Sequence, residues 1–325
     1  RIWVDDLFGS IKASFSDDKC LNIFTKYKNA FSISYKNRFS PLRAAIDIQY
    51  IERCLHSQNS VFNIYKASNA LDEDVVELKI YNPNGEIPLS KIMPVLDSFG
   101  LDIIKEHTYP VELNKEGRIR ERKMVWISYF NLRLSSFGQK FSPKVRINFE
   151  KTISLIWRNI TECGELNKLV TVANLHWKQI YMLRAYTRYI YQGNLKYKTG
   201  YIADILVKHC HITTNIVSLF DIKFNPFLQI DRDARLDQIK NLSSKIKLQL
   251  SQVDIASEDE ILSSFFGCIN ATLRTNYYQL SSQKDFKGYL SFKFNSAKVP
   301  NLPLPHPYAE IFVYSSEVEA IHLRG

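Results

Sequence analysis

His209, Cys210 and His211 are adjacent, and imidazole and thiolate are the ligands zinc prefers, so this triplet is the first place to look for a metal. Neighbouring residues rarely converge on one ion, and no second ligand pair is spaced to complete a tetrahedral set. The triplet therefore reads as a cluster at a helix end. The remaining histidines, at 56, 107, 176, 306 and 322, form no HExxH or other metal spacing. Cys20, Cys54, Cys163, Cys210 and Cys268 lie far apart with no CxxC pair, and their odd number suits a reducing cytoplasm better than a disulfide framework. No Ser/His/Asp, Cys/His or paired-carboxylate arrangement stands out. Neither GxGxxG nor GxxxxGK[ST] occurs, so no loop here is built to cradle the phosphates of a nucleotide. Asn82, Pro83, Asn84 and Gly85 are turn-forming residues in succession.

The second candidate chemistry is electrostatic. The net charge is +10, and residues 140–223 hold 13 Lys and Arg against 5 Asp and Glu, a local excess of 13 − 5 = +8. Aromatics interleave with these cations in RAYTRYIYQGNLKYKTGY (184–201), as they do on nucleic-acid surfaces. A core helix with Lys and Arg stems along its flanks gives the same pattern and is the preferred reading, so no nucleic-acid partner is expected.

The elements that must carry these groups follow from patterning. A hydrophobic fraction of 45% and charged fraction of 23% describe a globular, soluble chain of roughly two domains. No apolar run reaches the roughly 18 residues a membrane helix needs, and RIWVDDLFGS at the start has no signal-peptide character. Both ends look cut from something longer. Residues 1–60 read as helices, one opened by Ser40 as N-cap and Pro41 at the first helical position. The period then changes. VVELKIYN (75–82) reads as a strand, 89–100 as a helix containing Pro94 and ended by Gly100, 101–113 and 122–132 as a hairpin around the charged loop NKEGRIRE, and 148–163 as a helix. This β, α, β, β, α order implies a small antiparallel sheet with its helices on one face. Residues 166–278 return to helical periodicity, with segments near 175–192, 200–209, 213–224, 231–253 and 257–276 and a candidate capping box at Ser257 and Glu260. YLSFKFN and AEIFVYSSEVEAIHLR are β-rich and flank VPNLPLPHP, whose prolines force an extended connector.

Three of these stretches carry a resemblance. WKQIYMLRAYTRYIYQGNLKYKTGYIADIL (177–206), ATLRTNYYQ (271–279) and YLSFKFNSAKVPNLPLPHPYAEIFVYSSEVEAIHLRG (289–325) resemble, in order and spacing, the region just before the catalytic core of the large bacterial NAD-specific glutamate dehydrogenases. ELKIYNPNGEIPLSKIMPVLDSFGLDIIKEHTYPV (77–111) is similar to the last ACT-like module of those enzymes. Two departures are visible. Ala320 stands where the family commonly has glycine, and the module lacks the final strand of a complete βαββαβ unit.

The resemblance implies an α+β chain, mainly helical, with a βαββα ACT-like unit and a β-rich C-terminal start of the catalytic domain. Its divisions are a helical segment at 1–70, the ACT-like domain at 71–165, a helical domain at 166–280 and the opening of the catalytic domain at 281–325. It also implies that the catalytic lysines and the dinucleotide fold lie beyond residue 325. The chain alone is then expected to be catalytically inactive and to hold no NAD or metal, NAD being the cofactor of the parent enzyme. That parent would convert L-glutamate, NAD and water to 2-oxoglutarate, ammonium and NADH. Its partners would be the rest of its polypeptide, other subunits of a homo-oligomer and a small amino-acid effector. In an ACT-like unit the effector loop follows the first strand, here Asn82, Asn84 and Gly85, although a plain turn explains the same residues. Arg274 and Asn276 would touch the catalytic domain, or Arg274 would simply stabilise a helix C-terminus. His322 and Arg324 would lie on the strand leading toward the active site. The alternative reading is a free-standing ACT-type protein that binds an amino acid.

Overall fold

The computed structural model describes residues 2–66, 72, 74–113, 123–134, 141–193 and 196–324. The NKEGRIRE loop lies outside the described residues. The chain divides into two compact units, one running to Arg158 and the other from Asn159 onward.

The first unit opens with four helices, α1 (Ile2–Ser14), α2 (Asp17–Tyr27), α3 (Ile33–Arg38) and α4 (Pro41–Ser57). Ser40 caps α4 as expected, its hydroxyl accepting from the Arg43 amide at 3.2 Å with Pro41 in the first turn. A sheet follows, built from β1 (Val61–Tyr65), β2 (Val75–Asn82), β3 (Leu101–Leu113) and β4 (Lys123–Leu134), with α5 (Leu89–Ser98) and α6 (Pro143–Trp157). All its strand pairs are antiparallel, in the order β1-β2-β4-β3. Pro110 is tolerated because β3 is an edge strand. Pro94 lies well inside α5, beyond the first turn, and Gly100 ends that element at φ +70°.

Three expectations change here. The strand missing from the ACT-like module is supplied from upstream: β1 pairs with β2, with Val61 opposite Tyr81 and Tyr65 opposite Glu77, taking the place of a final strand. The helix read at 148–163 starts five residues earlier, because Ser142 caps it and Pro143 occupies its first position, and it ends at Trp157. Helices also cover both faces of the sheet. Val76, Leu78 and Ile80 point to one face with Phe62, whose ring meets Trp157 of α6 at 6.0 Å. Tyr81, Ile127 and Tyr129 point to the other and share a core with Ala44, Ile48 and Ile51 of α4.

The second unit holds α7 (Lys168–Ala173), α8 (Trp177–Gln192), α9 (Thr199–Lys208), α10 (Cys210–Phe224), α11 (Arg232–Leu250) and α12 (Ala256–Ala271). Its antiparallel sheet runs β5 (Thr272–Thr275), β6 (Leu290–Phe294), β7 (Ala309–Tyr314) and β8 (Glu319–Arg324), in that spatial order. Three of the four tyrosines of α8 face this sheet: Tyr189 stacks on Phe294 at 4.2 Å, Tyr186 meets Phe292 at 4.5 Å and Tyr181 meets Tyr314 at 5.1 Å, while Tyr191 is exposed. The part of the aromatic-basic stretch that lies in α8, residues 184–192, is therefore a core helix. Its start is fixed by a capping box between His176 and Gln179 that the sequence reading did not identify.

The capping box expected at Ser257 and Glu260 does not form. Helix α12 begins one residue earlier with Ile255 as N-cap, while Ser257 pairs with the Tyr201 hydroxyl and Glu260 accepts from that of Tyr197. The helix also ends five residues before Asn276, because the chain turns into β5 at Thr272.

Candidate functional site

Asn82 closes β2, and its side chain is spent on its own loop and on Ser60. Its Nδ2 donates to the Gly85 carbonyl at 2.7 Å, and its Oδ1 accepts from the Ser60 hydroxyl at 3.0 Å. Gly85 adopts φ +113°, a conformation side chains disfavour. The turn is thus self-bonded, yet it borders a cavity of about 500 Å³ that Asn82 and Asn84 line with Asn59, Ser60, Glu86 and Lys91. Of the three loop residues named from the sequence, Asn82 and Asn84 line that cavity, and Gly85 shapes the turn beside it.

Arg274 lies on β5 directly opposite Lys293 of β6, so the reading of Arg274 as a helix C-terminal residue is replaced by a strand position. Asn276 clasps the two strands: its Nδ2 donates to the Tyr289 carbonyl at 3.2 Å and its Oδ1 accepts from the Ser291 amide at 2.7 Å. Arg274, Asn276, Lys293 and Lys223 line a cavity of about 530 Å³. Lys223 donates to the carbonyls of Ile269 and Asn270 at 2.7 and 3.1 Å, covering the end of α12, and burial aided by Lys298 pushes its pKa down to about 8. His322 and Arg324 sit on β8, opposite Ile311 and Ala309 of β7. The structure joins Arg274 to Asn276 but keeps His322 and Arg324 three strands away, with β6 and β7 between and Ile311 of β7 on the same cavity as Arg274.

His209 and Cys210 fall at the junction of α9 and α10, as a helix-end cluster should. His209 Nε2 lies 2.7 Å from Glu258, which also accepts from Lys208 at 2.5 Å. These two hydrogen bonds, Lys208 first, hold the Glu258 carboxyl below its ordinary range. Among the described residues no three metal-ligating side chains converge.

Two polar groupings escaped the sequence reading. In the first unit Lys79 and Asp47 are both fully buried and 2.5 Å apart. Asp47 also accepts from the hydroxyls of Tyr35 and Tyr81 and lies 3.4 Å from Arg43. In the second unit, Arg184 of α8 is 6% exposed and holds Asn167 and the Glu162 carbonyl through Nη2, each at 3.3 Å. An arginine in an otherwise aromatic helix was the available signal. It passed for a flank residue because the partners it needs are brought in only by the tertiary fold.

The whole chain is similar to known proteins. Residues 245–325 match the family model described as bacterial NAD-glutamate dehydrogenase, catalytic domain. Residues 161–226 match glutamate dehydrogenase, helical motif 3, residues 59–143 its ACT3 domain, and residues 10–54 its helical motif 2. The NAD-specific glutamate dehydrogenase of Halomonas elongata is 33% identical over all 325 residues, which cover 19% of that protein. Those of Pseudomonas aeruginosa and Mycobacterium tuberculosis are 32% and 29% identical, again along the entire chain and over 20% of each relative. The chain thus spans about a fifth of the length of the curated relatives it matches.

Proposed function

This chain belongs to the bacterial NAD-specific glutamate dehydrogenases, and from that premise we propose that it is the regulatory and scaffolding portion of an enzyme converting L-glutamate, NAD and water to 2-oxoglutarate, ammonium and NADH. The observation that carries the proposal is the order of its parts. An ACT-like sheet, a helical module and the opening sheet of a catalytic domain succeed one another along one continuous similarity. In this reading residues 1–70 brace the ACT-like domain at 71–165 and lend its sheet β1, 166–280 form a scaffold for subunits of a homo-oligomer and lend β5 to the sheet that follows, and 281–325 begin the catalytic domain.

The residues in hand fit that division of labour. The charged pairs described above serve local structure, and no described cluster combines a base with a phosphate cradle. In this reading hydride transfer and the binding of NAD fall to the rest of the polypeptide, and the chain alone is inactive. Arg274 stays exposed on β5 and offers a cation to a neighbouring segment. The cavity beside Asn82 and Asn84 gives a small amino-acid effector a place in the ACT-like domain. No helix among the described residues is long and apolar enough to cross a membrane. With thiols at all five cysteines, the cytoplasm is the compartment this reading assigns.

The test is direct. Joined to the downstream sequence of its own polypeptide, the chain should support glutamate-dependent formation of NADH, followed by absorbance, while the chain alone should support none. A folded, oligomeric full-length product with no such activity would overturn the proposal.

A further inference from the structure

The second sheet sorts its charges by face. Glu310 and Glu319 lie on the face that α8 covers, where Glu310 accepts from the Tyr189 hydroxyl and Glu319 pairs with Arg188 at 3.3 Å. On the opposite face the register sets Arg274 of β5 against Lys293 of β6, and His322 of β8 against Ile311 of β7. We propose that this face binds a phosphate-bearing small molecule, its phosphate group seated among Arg274, Lys293 and Lys223 in the cavity of about 530 Å³ that they line.

The backbone, rather than side-chain freedom, brings these cations together. Arg274 and Lys293 are directly opposite on adjacent antiparallel strands, which places their Cβ atoms about 5 Å apart on one face. Like charges in that relation destabilise a sheet, and an anion lying between them removes the cost. Lys223, from α10, is held in place by the carbonyls of Ile269 and Asn270, to which it donates at 2.7 and 3.1 Å. An ammonium group has three donors, so one remains for the cavity that Lys223 lines. Burial, and then the nearby charge of Lys298, lowers its pKa, as expected where cations gather without a counter-charge. Among the described residues no carboxylate lines the cavity to offset the three cations.

The lining also selects the kind of anion. A single carboxylate is planar, carries one charge and matches one guanidinium edge, which leaves two ammonium groups uncompensated. A phosphate monoester brings a charge of about −1.5 to −2 and three acceptor oxygens on one tetrahedral centre, one for each cation. Phe224, Leu273, Ile311 and Tyr289 supply apolar and aromatic wall beside the charged groups, where the organic part of the molecule lies.

Arg274 also serves the contact with a neighbouring segment proposed above, but binding is measured on the chain by itself, so the two readings fail separately. The test is calorimetric titration of the chain, at low ionic strength, with phenyl phosphate, benzoate and citrate. Phenyl phosphate should bind, and benzoate, which keeps the ring but carries a carboxylate, should bind at least roughly ten-fold more weakly. Citrate, whose charge is spread over separate carboxylates, should also bind more weakly than phenyl phosphate. Lys293→Glu is the decisive variant. It sets opposite charges across β5 and β6 and should raise the melting temperature, yet it should abolish binding of phenyl phosphate. A merely structural role for Lys293 would not move stability and binding in opposite directions. No binding of phenyl phosphate, equal or tighter binding of benzoate, citrate or a single-stranded oligonucleotide, or binding undiminished in Lys293→Glu would each overturn the proposal.

Discussion

Lys79 occupies the second strand of the first sheet with no exposed surface, and its ammonium group lies 2.5 Å from Asp47 and 3.4 Å from the centre of the Phe39 ring. Burial lowers its pKa to about 8, with Asp47 pulling in the opposite direction. Such a pair is costly to bury and costlier to break, because removing one partner strands the other charge. Lys79→Met should therefore destabilise the chain by roughly 3 to 5 kcal/mol, measured by urea unfolding at neutral pH. Combined with Asp47→Asn it should recover part of that loss, since the stranded carboxylate goes with it. Strictly additive losses would show that the two side chains do not act as a pair. The same residues explain why the sheet's second covered face was not legible. In VVELKIYN, Glu77 and Lys79 alternate with Val76, Leu78 and Ile80, and such alternation ordinarily means a face open to water. Lys79 instead finds Asp47, and Tyr129 donates to Glu77 at 2.9 Å. Partners so distant in sequence leave no local trace.

At the scale of elements, features set by a few neighbouring residues could be read and those set by distant packing could not. Ser40-Pro41 announced α4, Gly100 ended α5, and the β-rich runs near the C-terminus became β6, β7 and β8, because caps, turns and alternation are local. The strand β1 was missed because five residues of VFNIY between a polar segment and a charged one acquire their meaning only beside β2. The candidate sites divide the same way. The Asn82 loop was legible as a turn, whereas Lys223 and Lys293 join Arg274 only once α10, β5 and β6 are assembled. Gly267 in α12 tests how tightly such distant packing is set. A Cβ there would lie 2.2 Å from Cγ of Pro300, so helix and proline-rich connector touch where no side chain can intervene. An ordinary helical glycine gains up to about 1 kcal/mol on replacement by alanine, but overpacking here should reverse the sign. Gly267→Ala should lose roughly 1 to 3 kcal/mol in thermal or urea unfolding; a gain would show that α12 and the connector can separate freely.

Among the described residues the buried groups that titrate at alkaline pH are lysines on one side and tyrosines with the thiols of Cys54 and Cys268 on the other, and they drive stability in opposite directions. Lys79 and Lys223 have folded pKa values near 8, below their ordinary 10.5. Between about pH 8 and 10.5 the unfolded chain therefore binds more protons at these positions, and stability from them rises with pH. The tyrosines oppose this. Burial raises the pKa of Tyr35 and Tyr81 in the first unit and of Tyr186 and Tyr277 in the second well above 10. Their contribution is fully present below pH 10 and is lost above it, because the unfolded chain releases protons that the folded chain must keep. Each such tyrosine costs about 1.4 kcal/mol per pH unit once the unfolded group ionises, and buried tyrosines outnumber the two lysines. Urea midpoints should hold or rise from pH 8 to about pH 10 and then fall steeply, with tyrosinate absorbance from these rings appearing together with unfolding. Lys79→Met should remove much of the rise and leave the fall in place. A midpoint that declines steadily from pH 8, or tyrosinate absorbance that develops fully in the folded chain, would mean that these rings and ammonium groups are reached by water.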